Sequence, residues 1–382
     1  MPSTRPKLLF VLSQDYGELF NAVYFVAGAP FEAVFALPPR LYQVNERALP
    51  VAAHVYHRAA DVLEIVAREQ PDVVLMFSGY LFVINKLFTQ EEFAGLLTEL
   101  RRRGVRTATS DPSLGLIARG GAGLFRDHFP AAAQLAPHFA WLAESLADAF
   151  HVYLAPDGID TPRRHGSYYN PRQVFSIAEQ ERRAAKLATW SAIDALRRRW
   201  LFILSPEDEA IQAAALGREG FARLLAERLR DVAQTGRQAV LIAPQACLQA
   251  VRATGGAPAD LVALAGCGYL RFMLLLYDAE HVFYWNQFSA SMLGRVIHRM
   301  PIFTFAPGHL TNALRDIRAL GSRHFFLGSE PTFFAMESPL DADRLVELAA
   351  EQHQQLLRPV SEYLAQSPTP EQLVESILRE AS

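Results

Sequence analysis

Apolar runs of about five residues recur along this chain, and each is followed by a polar turn and a stretch with helical spacing. In the first half Leu8–Ser13, Phe31–Leu37, Asp72–Phe77 and Val105–Thr109 read as strands, and His54–Glu69 and Glu91–Arg103 as helices. A further strand is expected at His151–Ala155. The pattern restarts with Trp200–Leu204, a helix over Glu219–Gln234, and strands at Gln238–Ile242, Gly268–Met273, His281–Trp285, Ile302–Phe305 and Arg323–Leu327. Strands alternating with helices predict parallel sheets joined by right-handed crossovers. Residues 156–172, rich in Pro, Gly and Arg, interrupt the alternation and read as a linker. A long helix is expected over Ile177–Arg199. The tail from Asp341 reads as helix in two pieces, parted near Ser367-Pro368-Thr369-Pro370.

At 382 residues the chain exceeds one ordinary domain. With 51% hydrophobic and 20% charged residues it can bury a large core. The net charge of −3 does not suggest a polyanion binder, and the runs Arg101–Arg103 and Arg197–Arg199 read as solvated helix ends, so no nucleic acid is expected. Two cysteines, Cys247 and Cys267, give neither a disulfide framework nor a zinc spacing. The N-terminal apolar run is too short for a signal peptide, and no segment is long enough to span a bilayer. A soluble cytoplasmic protein is expected. The basic segment containing Arg163, Arg164 and Arg172 leaves open contact with an anionic acceptor, a peripheral membrane surface or solvent alone.

In doubly wound sheets ligands bind outside the carboxyl ends of the strands. There the first half supplies Asp15, Ser78, Tyr80, Asp111 and Ser113; the second supplies Ser205, Glu207, Asp208, Gln245, Asn286, Ser289, Ser291 and His309. Each is also a natural turn former or helix cap, and Asp111 before Pro112 illustrates that reading. The segment 277–310 is the most pointed: a strand, a break at Asn286-Gln287, two serines before a helix over Met292–Arg299, then a strand running into Pro307-Gly308-His309. A helix start at that edge is a prepared anion site. No GxGxxG, GxxxxGK[ST], HExxH, CxxC or GxSxG pattern occurs, which argues against dinucleotide oxidoreductases, P-loop enzymes, metal sites of those types and α/β-hydrolases.

The segment LLLYDAEHVFYWNQFSASMLGRVIHRMPIFTF, with Arg299-Met300-Pro301-Ile302 in place of a G-x-P-hydrophobic element, resembles the donor domain of the GT-B glycosyltransferase superfamily. VYLAPDGIDT (152–161) resembles the end of a GT-B acceptor domain, with Asp157 where Asn is commoner. The resemblance implies an α/β fold of two Rossmann-like doubly wound domains facing across a cleft, with C-terminal helices: an acceptor domain at 1–160, a nucleotide-sugar domain at 161–340 and helices at 341–382. Serines replace the E-x7-E pair of many retaining members, so the site is more similar to members that hold phosphates with Ser/Thr and His, including sialyltransferase-like enzymes and sugar-nucleotide 2-epimerases.

That resemblance implies a metal-independent glycosyltransferase with a nucleotide-sugar as substrate, no cofactor and no metal, and an acceptor of unknown identity. Ser205, Asn286, Ser289 and Ser291 would bind the donor. Gln245 and His309 would stabilise the leaving nucleotide, and Asp15 or Asp111 would act as base. A sugar-nucleotide epimerase, another GT-B-fold transferase and a non-catalytic two-lobed binding protein are the alternatives.

Overall fold

The computed structural model describes residues 5–13, 16–110, 141–142, 144–152, 164–166, 168–173, 182, 185–186, 198–287, 289–306, 322 and 325–380. Two compact units divide the chain: Met1–Gln173 with Tyr363–Ser382, and Val174–Glu362. The first holds β1 (Lys7–Val11), β2 (Glu32–Leu37), β3 (Ala52–Val55), β4 (Val73–Phe77), β5 (Arg106–Ser110), β6 (Phe150–Val152) and β7 (Arg164–Gly166). These form one parallel sheet in the order β3-β2-β1-β4-β5-β6-β7. The second holds β8 (Arg199–Ile203), β9 (Gln238–Ile242), β10 (Val262–Leu264), β11 (His281–Tyr284), β12 (Ile302–Ala306) and β13 (Thr332–Ala335). They too pair in parallel, in the order β10-β9-β8-β11-β12-β13. Both sheets are doubly wound: strand order reverses between β1 and β4 in one, and between β8 and β11 in the other.

The central strands of both sheets are buried on both faces, as their continuous apolar runs require, while the edge strands β3 and β13 are partly exposed. β4 is buried at all five positions. In the second unit Phe283 is in register with Phe202 of β8 and Phe303 of β12, with ring centroids 4.7 Å and 5.5 Å away, so in-register aromatics tie β8, β11 and β12 together.

Several elements differ from the sequence reading. Gly268–Met273 is not a strand; Tyr269–Asp278 is a helix, and the strand lies earlier, at Val262–Leu264. Leu270, Phe272, Met273 and Leu274 make an apolar run whose length and spacing fit either state, and unbranched Leu and Met favour helix. Phe325 and Phe326 are helical, and the last strand is Thr332–Ala335. His54 lies in β3, with the helix confined to Ala59–Glu69. The helix expected at 177–199 falls mostly outside the described residues, but Arg199 opens β8.

The unit boundaries fall at 173 and 362, beside the 160 and 340 of the sequence reading. Within the supposed linker, Arg164–Gly166 adds a strand to the first sheet. Buried Asn170 donates to the carbonyls of Tyr24 (2.7 Å) and Ala27 (2.9 Å), fastening its segment to the end of the helix Tyr16–Val26. The last helix, Pro370–Arg379, belongs to the same unit: Arg106 donates to the Leu378 carbonyl at 3.1 Å, and Glu371 pairs with Arg172.

His281, at the start of β11, is 3% exposed between the rings of Trp200 and Phe303, and neither ring nitrogen has a hydrogen-bond partner among the described residues. Burial lowers its pKa to about 4 against the pull of Glu280. An unfolded imidazole takes its proton near 6.5, so the folded state binds fewer protons between the two values. Stability should therefore be fully present above about pH 6.5 and decline as the pH falls to about 4, by on the order of 2–3 kcal/mol. Urea titrations across that range should show the decline, and His281→Phe should flatten the part of it that this imidazole causes.

Candidate functional site

The reversal point of the second sheet carries a buried polar bridge. After β8 the chain passes through Leu204 to Ser205, which caps the helix Pro206–Leu216: its Oγ accepts from the Asp208 amide at 3.0 Å and donates to Asp208 Oδ2 at 2.9 Å. Asn286, just past β11, donates to the same carboxylate oxygen at 2.7 Å. Asp208 thus joins the two turns that flank the reversal, and it is fully buried. One helical turn on, Gln212 is also fully buried, and neither atom of its carboxamide has a hydrogen-bond partner among the described residues. Gln287, beside Asn286, is 1% exposed, and neither its carboxamide atoms nor the buried Glu209 Oε1 has a partner among the described residues. Each such group costs about 1–3 kcal/mol unless something polar meets it, and native folds carry few.

The serine pair stands at the next helix, Ala290–Ile297. Ser289 occupies the N-cap position, but no side chain caps the helix and no acidic residue lies in its first turn. Its hydroxyl instead meets Ser291 Oγ at 2.7 Å, and Ser291 donates to the Tyr284 hydroxyl at 3.2 Å. Burial holds that phenol well above its ordinary pKa, so it stays protonated. Ser291 is buried and turned inward, whereas Ser289 is half-buried and is the hydroxyl closer to solvent. The helices after β9 (Gln245–Ala253, with Gln245 exposed at its first position) and β10 (Tyr269–Asp278) also lack both a side-chain cap and a first-turn acid. Elsewhere Ser205, Thr89, Asp341 and Thr369 cap their helices. Among the described residues, the carboxyl edge of the second sheet therefore presents three helix starts whose positive dipole ends no side chain compensates.

The far end of the serine helix is fixed by Arg295, which is fully buried with no carboxylate partner among the described residues. Its guanidinium donates to the carbonyls of Leu276 (2.8 Å), Ala279 (2.8 Å), Glu280 (3.2 Å) and Pro301 (2.9 Å). The planar five-donor fork suits this cage. The burial of both cysteines, Cys247 and Cys267, raises their pKa values to about 12 and about 11, which leaves thiols at neutral pH.

The first sheet has its own polar cluster at its reversal point. Ser13, after β1, donates to Glu18 Oε2 through its amide (2.9 Å) and hydroxyl (2.5 Å), and Tyr56 donates to the Leu12 carbonyl at 2.6 Å. Ser78, at the end of β4, holds a φ of 50° and passes its amide to the Ser110 carbonyl at 2.6 Å. A non-glycine residue in the left-handed region at a strand end is a strained position of the kind found at functional sites. Glu18 was not singled out by sequence, although an acid in the first turn of a helix after a strand was a signal for it. Asp15, Asp111 and His309 lie outside the described residues. Among the described residues no group of three or more His, Cys, Asp or Glu could hold a metal ion, and no helix is long and apolar enough to cross a membrane.

Two doubly wound parallel sheets, each with a polar reversal point, define an α/β protein of two Rossmann-like domains. The chain has, more particularly, the fold of the GT-B glycosyltransferases and UDP-GlcNAc 2-epimerases, at a distance. Aligned with the glycosyltransferase SnogD from Streptomyces nogalater, it covers 99% of itself and 100% of that chain, with 14% identity and a TM-score of 0.50. The spinosyn rhamnosyltransferase SpnG complexed with thymidine diphosphate aligns over 98% and 100%, with 13% identity and a TM-score of 0.51. The UDP-GlcNAc 2-epimerase from Neisseria meningitidis bound to UDP-GlcNAc gives 98%, 100%, 10% and 0.51. No protein-family model matches the chain, and no curated protein sequence matches it.

Two substitutions test this construction. Gln212→Met removes a buried, unpartnered carboxamide at similar volume and should stabilise the ligand-free protein by about 1–2 kcal/mol, read as a rise in melting temperature. Arg295→Met should strand four carbonyls, two buried and two partly buried, and cost about 3 kcal/mol or more in denaturant titrations.

Proposed function

We propose that the chain is a glycosyltransferase that moves a sugar from a nucleotide-sugar to an acceptor hydroxyl, with the donor held by the second unit. The observation that carries this reading is the β8/β11 reversal point, where an uncapped, acid-free helix start adjoins the Asp208–Asn286 bridge and the unpartnered carboxamides of Gln212 and Gln287. Helix-start amides and hydroxyls favour phosphate oxygens, and glutamine offers one donor group and one acceptor to polar parts of a nucleotide. In this reading Ser289 turns toward the phosphates while Ser291 and Tyr284 hold it, and Ser205 and Asn286 fix the neighbouring turn through Asp208. Gln245 and His309 stabilise the departing nucleotide, so its charge is met by protein donors without a metal; preorganised donors of this kind contribute about 3–4 kcal/mol each. Asp15 or Asp111 takes the proton of the acceptor hydroxyl. SpnG complexed with thymidine diphosphate and the Neisseria epimerase bound to UDP-GlcNAc support a nucleotide-linked ligand for this fold.

Epimerisation of a nucleotide-sugar is the second reading, because the Methanocaldococcus jannaschii UDP-GlcNAc 2-epimerase matches as well in fold, with a TM-score of 0.52. Incubating nucleotide-sugars without acceptor separates the two, since an epimerase returns an isomerised sugar still joined to its nucleotide. Calorimetry with UDP, TDP, GDP and CMP should find one nucleotide that binds. The double variant Ser289→Ala/Ser291→Ala should weaken it by roughly tenfold or more, as lost hydrogen bonds to a charged group imply, with the circular dichroism spectrum unchanged. Unaltered affinity would remove the serine turn from the site. Of Asp15→Asn and Asp111→Asn, one should abolish turnover while donor binding persists.

A further inference from the structure

The first unit has a concave site at the edge of its sheet opposite the reversal-point cluster. A pocket of 360 Å³ opens where Val105 and Arg106 lead into β5 and Ala149 and Phe150 into β6. This is the amino edge, roughly 13 Å along β5 from Ser110 at about 3.3 Å per residue, so it is separate from the carboxyl-edge cluster. Leu97, Val105, Leu146 and Phe150 give it apolar walls, and Thr107 and Ser145 line it as well.

Its charges are left incompletely matched. At the end of the helix Gln90–Arg102, Glu99 accepts from Arg102 at 2.6 Å and from Arg103 at 2.7 Å, which satisfies those two cations. Arg101 and Asp148 both line the pocket; among the described residues Arg101 pairs with Asp148 alone, at 3.4 Å, with both side chains mostly exposed. An exposed pair of that kind contributes about 0–1 kcal/mol and yields readily to another anion. Arg106 has no carboxylate partner among the described residues: its Nη2 donates to the Leu378 carbonyl, and its Nε–H is buried with no acceptor. A buried guanidinium donor beside an exposed arginine, over apolar walls, is complementary to an anion that carries a hydrophobic body.

We propose that this pocket binds a small amphipathic anion, a phosphate ester or carboxylate on an aromatic or short aliphatic body, with Arg101 and Arg106 on the charged group. The site stands independently of the nucleotide reading, since none of its residues belongs to that site. Calorimetry with phenyl phosphate, benzoate and inorganic phosphate separates the two head groups and isolates the contribution of the body. The wild-type protein should bind phenyl phosphate or benzoate about tenfold more tightly than inorganic phosphate. Arg106→Gln should weaken the better ligand about tenfold or more, and Arg101→Gln several-fold. Ser145→Trp should exclude the aromatic body. Arg101 is exposed, so its variant keeps the fold even if loss of the Arg106–Leu378 contact does not. No binding of either aromatic anion by the wild type, or unchanged affinity in Arg101→Gln and Ser145→Trp, would overturn the proposal.

Discussion

A parallel strand can follow another only if the chain crosses back over the sheet, and that constraint organises both units. Every crossover begins at a carboxyl edge, so the free amide groups of its helix gather there. Where a side chain caps the helix, as Ser205 does, the positive end is spent internally. Where none does, as after β9, β10 and β11, it stays available to an anion. The reversal of strand order then opens space between adjacent crossovers on opposite faces. The placement of these helix starts follows from connectivity before any particular side chain is considered.

The helix Ala290–Ile297 shows how the fold holds such an edge in place. Its last turn is pinned by Arg295, whose hydrogen bonds go to backbone carbonyls from the end of one helix and the approach to β12. Burial lowers its pKa to about 10, yet it remains charged at neutral pH. A buried cation held mainly by carbonyl dipoles fixes position without drawing a described carboxylate into the core. The first turn, free of such anchoring, keeps its hydroxyls in a short Ser289–Ser291–Tyr284 chain. One end of the helix is thus structural, and the other keeps polar groups that can exchange partners.

Much of the architecture was legible because buried parallel strands are written as apolar runs, and β1, β4, β8, β11 and β12 were found on that signal. The misreadings share a cause. Tyr269–Asp278 is an apolar run that helix and strand patterns describe equally well, and Arg164–Gly166 is a strand written in Arg, His and Gly. Edge elements need only backbone pairing, so their composition says little. At the site, Asn286 and the serines were visible as residues after a strand, but their partners were not. The Asp208 bridge joins positions 78 residues apart, and the inward turn of Ser291 depends on Tyr284. Gln212 carried no signal at all, because a glutamine in a helix ordinarily faces water.

The last helix belongs with the first strands. Arg106 and Leu378 meet across 272 positions, and Leu373, Val374 and Ile377 are buried. During synthesis the N-terminal unit therefore emerges long before the segment that completes it. Until that segment arrives, the apolar surface it covers stays wet, and closing so long a loop exacts an entropic toll that grows with the logarithm of its length. The second unit, contained in one stretch of chain, can reach its native packing while its neighbour is still waiting.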